Sequence, residues 1–149
     1  MTISEGATTT LNQVWFPGTH SCVGGGLPNS LGLSDATLLW TIDMIGKLRL
    51  GLEFVDHPEK VADGGIQPDY TISFDPQTED LLALGGISDR MLCSSNNDSQ
   101  AFFDRNIHLS AKQRWVLTEA PLYRPKNLEP YRQWLDAFVA SNRGSFRVR

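Results

Sequence analysis

The chain has 149 residues, 40% of them hydrophobic and 20% charged, a composition typical of at most one globular domain. Its net charge of -4, its pI of about 5.3 and the lack of any dense lysine and arginine block argue against a nucleic-acid partner. Two cysteines, Cys22 and Cys93, predict neither a disulfide framework nor a zinc site, and indicate a reducing compartment.

Residues 1–11 are polar and threonine-rich, and we expect a disordered leader there. They contain no basic n-region and no apolar h-region, so no secretory signal is predicted. The sequence also has no apolar stretch long enough to span a membrane. These features together predict a cytoplasmic location.

Two elements are predicted in the first half of the chain. Residues 14–16, Val-Trp-Phe, precede the breaker pair Pro17-Gly18 and predict a short buried strand. A helix is predicted over about residues 35–50, because apolar residues recur there at helical spacing after the candidate cap Ser34 and before Gly51.

The second half is predicted to be rich in loops. Residues 53–70 have loop composition, residues 70–74 predict a strand, and the alternation over residues 107–117 predicts another. A last helix is predicted from about residue 128, capped by Asn127 and carrying one apolar stripe, which comprises Tyr131, Trp134, Leu135, Phe138 and Val139. We expect one partial domain over residues 12–141 and a basic tail over residues 142–149.

His20 is the candidate catalytic residue. It stands in "QVWFPGTHSCVGGG", between a Pro-Gly turn and three glycines, where an imidazole can be both exposed and aimed for proton transfer. The competing interpretation is a turn residue followed by a flexible glycine connector. The glycines fit neither phosphate-binding fingerprint, and His20 with Cys22 is too small a set for a closed metal site, so no cofactor and no metal are predicted. A thiol enzyme using Cys22 and His20 is the weakest alternative.

The stretches "VWFPGTHSCVGGG" and "LSDATLLWTID" together resemble the signature of α/β-hydrolase domains related to type VI secretion phospholipase effectors, a family that includes uncharacterised fungal proteins. A weaker similarity to the fungal members continues in "IHLS" at residues 107–110 and "LYRPKNL" at residues 122–128. The matching positions are Trp15, Phe16, Gly18, His20, Ser21, Val23, Gly24, Gly25, Gly26, Leu33, Ser34, Asp35, Leu38 and Trp40.

The resemblance implies a serine-nucleophile esterase or phospholipase in which His20 is the triad histidine. Such an enzyme also needs a serine on a G-x-S-x-G elbow and an acid that orients the imidazole, and no G-x-S-x-G occurs in the sequence. Cys22 stands where the family has an aspartate. We therefore expect a C-terminal fragment of such a hydrolase domain, inactive alone, that would act on a lipid or another ester only with the complete domain.

The implied fold is α/β, the C-terminal portion of a mostly parallel sheet with flanking helices and a loop-rich second half. An incomplete sheet would expose an edge and apolar surface, so self-association is expected. The alternative to a hydrolase segment is a non-catalytic remnant that acts as a binding or interaction module.

Overall fold

The computed structural model describes Gly6 and residues 11–26, 28–55, 65–72, 90–92, 99–117 and 122–142. Its α-helices are α1 (His20–Gly24), α2 (Leu31–Lys47), α3 (Gln100–Asn106), α4 (Leu109–Val116) and α5 (Arg132–Asn142). Short 3₁₀ helices at Pro28–Ser30 and Lys126–Tyr131 precede α2 and α5. No helix in the described ranges has the length and apolar character that a membrane crossing requires.

The expected mostly parallel sheet is wrong for the part of the chain that the structure describes. That part contains no strand, and its β-structure is one isolated parallel bridge between Trp15 and Ile107. The Trp15 N–H donates to the Asn106 carbonyl (2.7 Å), and the His108 N–H donates to the Trp15 carbonyl (3.0 Å). The predicted strand at residues 14–16 thus contributes a single bridged residue, because its neighbour in space continues as a helix.

The strand predicted over residues 107–117 is also wrong, since α4 occupies most of this range. Within α4, Ala111 and Trp115 are both buried and lie four residues apart, so they form one apolar helical face. His108 caps the helix, because its Nδ1 accepts the N–H of Ser110 (3.2 Å). Helical burial and the cap outweigh the alternation that suggested a strand.

The helix predicted over residues 35–50 is α2, displaced towards the N-terminus. Ser34 does not cap it; the Ser34 hydroxyl instead donates to the Leu31 carbonyl (2.8 Å) inside the first turn. The Asp35 carboxylate accepts the N–H of Gln67 (2.8 Å), so this acid serves a tertiary contact. The helix therefore begins at Leu31, four residues before the predicted start.

The main apolar core lies between the C-terminal helices. α4 packs against α5, and the Trp115 indole N–H donates to the Asp136 carboxylate (3.1 Å). In the predicted stripe, Tyr131 at the end of the 3₁₀ helix and Leu135 on α5 are fully buried, and Trp134 and Val139 pack beside them. Asn127 does not cap this helix, because its side-chain amide donates to the Arg90 carbonyl (3.0 Å). The buried cluster comprises Leu92, Phe103, Ile107, Ala111, Trp115, Leu128, Tyr131 and Leu135.

Residues 65–72 contact α2 and α4, and so connect the N-terminal helices α1 and α2 to the C-terminal helices α3 to α5, the two halves of the described chain. The Asp69 N–H donates to the Gly32 carbonyl (3.2 Å), and the Arg114 guanidinium donates to the carbonyls of Tyr70 (2.7 Å) and Ile72 (2.5 Å). A Cβ on Gly32 would lie 2.6 Å from the Asp69 Cβ, so the close approach requires glycine. The strand predicted over residues 70–74 is not present at residues 70–72, and residues 73 and 74 lie outside the described ranges.

The predicted leader and tail fall largely outside the described residues. Gly6 and Leu11 are described from residues 1–11, and Asn142, the last residue of α5, is described from residues 142–149. The boundaries of the leader, the partial domain and the tail remain predictions.

Candidate active site

His20 is the first residue of α1, which follows a tight turn. Gly18 in that turn has φ +112°, a conformation that favours glycine, and a Cβ there would lie 2.8 Å from the Cys22 Cβ. The Cys22 side chain is buried, and the Thr19 hydroxyl donates to its Sγ (3.2 Å). Packing through Cys22 therefore fixes the turn of backbone from which His20 projects.

The His20 side chain itself is exposed. No hydrogen bond, ion pair or ring contact joins the imidazole to another of the residues that the structure describes. Cys22, at the position where the resemblance led us to expect an aspartate, offers a buried thiol and no carboxylate. His20 is thus free to exchange protons with a substrate or a catalytic group, and no described acid orients it.

Two of the three glycines lie in the turn that follows α1. Gly25 and Gly26 have φ of +82° and +114°, whereas Gly24 ends α1. An ideal Cβ on Gly25 would lie 4.0 Å from the Ser34 Cβ, so backbone conformation and not crowding favours glycine there. The turn lets α1 pack against α2, and this structural task accounts for two of the three glycines.

Several other residues of the motif hold the N-terminal segment on the rest of the protein. Trp15 forms the β-bridge, and the Phe16 ring lies 4.2 Å from the His108 ring and 5.7 Å from the Trp40 ring, between centroids. Together with Gly18 and Asp35, these residues have packing or hydrogen-bonding roles. His20 differs from them, because it is exposed and makes no such contact within the described ranges.

His108 is the second described histidine, and its geometry is that of a helix cap. Its Nδ1 lies 2.8 Å from the Ser110 hydroxyl and accepts the Ser110 N–H. Burial, followed by the nearby positive charge of Lys112, lowers the pKa of His108 to about 4. The ring is therefore neutral near pH 7 with its proton on Nε2, so neither nitrogen is available to take a proton from a serine.

Ser110 does not make this pair a second active site. Its side chain is fully buried, so an ester carbonyl could not approach the hydroxyl. The sequence favours a structural over a catalytic His108 but leaves the role of "IHLS" open, because histidine is not among the residues preferred at an N-cap; the structure shows the cap.

No metal or ligand site is evident within the described ranges. They contain no group of three or more histidine, cysteine, aspartate or glutamate side chains that could hold a metal ion. A shallow open groove is lined by Leu11, Gln13, Phe102 and Arg105 among others, and no histidine borders it. Ser99 in this groove caps α3 by accepting the Phe102 N–H (3.1 Å). The groove therefore lacks the acid/base group that ester hydrolysis needs.

Residues 3–44 match the family model described as "T6SS, Phospholipase effector Tle1-like, catalytic domain". No curated protein and no solved structure matches the chain. The match includes His20, the glycine turn and most of α2, so the resemblance to type VI phospholipase effectors is confirmed for this segment. The weaker similarity to fungal members at residues 107–110 and 122–128 lies beyond the match and stays a prediction.

Proposed function

We propose that the chain carries the acid/base histidine of a serine-dependent ester hydrolase of the phospholipase type, and that this histidine is His20. One observation supports this most directly: His20 lies within the family match and is exposed, while Trp15, Phe16, Gly18 and Asp35 of the same motif have structural contacts. An exposed imidazole free of structural contacts suits proton transfer.

In this proposal His20 takes the proton of a serine hydroxyl while the serine oxygen attacks the ester carbonyl. The same nitrogen then protonates the leaving alcohol, and the acyl-enzyme is hydrolysed by water in the reverse sequence of proton transfers. The serine, the acid that binds Nδ1 and the oxyanion donors are required as well. Because the sequence contains no G-x-S-x-G, the serine elbow would come from outside its 149 residues, and the chain alone would be inactive.

The first test is fluorophosphonate labelling of the purified chain together with a short-chain ester assay. We expect no labelling, and hydrolysis equal in the wild type and in His20→Ala. Labelling of the wild type that His20→Ala weakens would contradict the proposal that the nucleophile lies elsewhere.

The second test supplies a polypeptide that carries the serine elbow, either fused or in trans. Loss of a triad histidine typically lowers kcat by about 10⁴-fold or more, and we expect this effect for His20→Ala. His108→Asn is the matched control, because asparagine keeps a helix cap at this position, and it should retain activity. If both variants, or neither, lost activity, His20 would not be the acid/base residue.

The alternative is a non-catalytic interaction module, and the apolar surface of α2 favours it. Leu31, Leu38 and Leu39 on this helix are exposed. In the hydrolase proposal the remainder of the domain would cover them, whereas a module would use them to bind a partner or a second copy. A folded chain that stays inert towards fluorophosphonate after the elbow is supplied would favour the module. Light scattering over a range of concentrations measures self-association directly.

A further inference from the structure

The backbone that leads into His20 is anchored residue by residue. Phe16 lies between two rings, and the side chain of Pro17 is fully buried. The backbone of Gly18 then packs directly against Cys22. Because these contacts are consecutive, no unanchored residue separates them that could absorb a displacement further upstream. The place of His20 therefore depends on what holds the residues before Phe16.

Asn106 holds those upstream residues with two different groups. It is the last residue of α3, where carbonyls have no partner inside the helix, and its carbonyl accepts the Trp15 N–H (2.7 Å). Its side-chain amide donates to the Gln13 carbonyl (2.7 Å), 93 residues away in the sequence. Trp15 has a further bond from the His108 N–H, whereas the amide of Asn106 is the partner of Gln13 within the described ranges. One side chain thus ties residues 13–15 to the corner between α3 and α4.

We propose that Asn106 is a positioning residue for His20. Its amide fixes residues 13–15, and the contacts of residues 16–18 transmit that position to the turn that carries the imidazole. The proposal rests on the proposed function, since a displaced imidazole no longer meets the serine oxygen and the leaving alcohol. A displacement of about 1 Å can lower a catalytic rate on the order of 100-fold.

The first measurement is backbone hydrogen exchange of the purified chain, which needs no catalytic activity. Asn106→Ala should raise the exchange rates of the Trp15 and His108 N–H groups about fivefold, the factor for the net contribution of one hydrogen bond, and leave those of α5 unchanged. Asn106→Asp keeps the shape of the side chain but turns an oxygen towards the Gln13 carbonyl, so it should loosen the segment at least as much. Wild-type protection in Asn106→Asp would overturn the proposal, because a role through packing alone would tolerate this change.

Asn142→Ala is the matched control. The Asn142 amide also donates to a backbone carbonyl, that of Phe138 (2.8 Å), but this bond lies inside α5. The variant therefore loses the same kind of hydrogen bond without releasing residues 13–15. It should leave exchange at Trp15 unchanged, and an increase equal to that of Asn106→Ala would overturn the proposal.

The second measurement is ester hydrolysis after a polypeptide with the serine elbow is supplied. Asn106→Ala and Asn106→Asp should lower kcat about tenfold with KM unchanged, because proton transfer and not substrate binding depends on the place of His20. Asn142→Ala should keep the wild-type kcat. Faster exchange at Trp15 combined with wild-type kcat would overturn the positioning role. If His20→Ala had no effect on kcat, the proposed function itself would fail and the positioning role with it, while the exchange rates would still show whether Asn106 anchors the segment.

Discussion

The two described histidines show how local surroundings decide what one side chain can do. His20 projects from the first turn of a five-residue helix into solvent, whereas His108 is half-buried against Phe16 with its Nδ1 committed to Ser110. The difference arises from neighbours that belong to distant parts of the chain, since Phe16 lies far from His108 in sequence.

His108 should make stability depend on pH. Its pKa is about 4 in the folded chain and about 6.5 when unfolded, so the unfolded state binds more protons between these values. The contribution of neutral His108 to the unfolding free energy is therefore fully present above about pH 6.5 and is lost as the pH falls towards 4. We expect a loss on the order of 2 kcal/mol, after allowing for partial solvent screening.

The measurement is urea unfolding across this pH range for the wild type and for His108→Asn. Asparagine also caps helices but does not titrate, so the variant should show a shallower fall in unfolding free energy. The quantity compared is the slope of unfolding free energy against pH in each protein. This comparison removes the constant cost of losing the contact between His108 and Phe16. Equal slopes in the two proteins would show that His108 is not buried as a neutral cap.

At the scale of elements, the end of α2 shows a cap motif built with an unfavourable residue. Arg49 has φ +52°, its N–H donates to the Gly46 carbonyl (3.1 Å), and the Leu50 N–H donates to the Ile45 carbonyl (3.3 Å). This pair of bonds is a Schellman motif, in which glycine normally occupies the left-handed position. Gly51 was the predicted stop, yet the helix ends at Lys47, before that glycine is reached.

Arg49→Gly should therefore stabilise the protein. The left-handed conformation costs a residue with a Cβ about 1 kcal/mol, and glycine removes that cost. We expect the unfolding free energy to rise by up to about 1 kcal/mol, measured from the urea midpoint. Arg49→Ala keeps the Cβ and should bring no such gain, so a gain of the same size in both variants would argue against backbone strain as the cause.

At the scale of the whole molecule, Arg114 is one of the residues that link the N-terminal helices α1 and α2 to the C-terminal helices. It is buried, it donates to two backbone carbonyls of residues 70–72, and its guanidinium lies over the Tyr123 ring at 5.2 Å. The same segment bonds to Gly32 of α2 through the Asp69 N–H. The position of α2, and with it the turn that carries His20, thus depends on a side chain of α4.

Replacing Arg114 with leucine should be strongly destabilising. The change removes two charge-assisted hydrogen bonds and leaves carbonyls of residues 70 and 72 without that donor, at a cost of about 2–4 kcal/mol in unfolding free energy. Arg132→Leu is the control, because the ion pairs of Arg132 with Glu129 and Asp136 are exposed and its loss should change stability by less than about 0.5 kcal/mol. Similar urea midpoints for the two variants would show that Arg114 does not connect the halves.

Short-range patterns in the sequence predicted several features correctly. The His20 motif, confirmed as a family match over residues 3–44, is a contiguous string, and the existence of α2 and the buried stripe of α5 follow from helical spacing. These features depend on residues within a few positions of one another. The sequence alone therefore determined where the candidate histidine stands and which faces of two helices are apolar.

The tertiary structure decided what these elements pack against. A strand forms only where a partner strand is available, and residues 14–16 meet the start of α4 instead, so the mostly parallel sheet expected from the family is absent from the described residues. The contacts of Arg114 span 44 and 42 residues, and such pairings leave no periodic trace in the sequence. Long-range contacts and burial, rather than local propensity, decided these roles. Asp35 accepts a hydrogen bond from Gln67, a residue distant in sequence, and His108 caps its helix as a half-buried neutral imidazole, whereas His20 stays exposed.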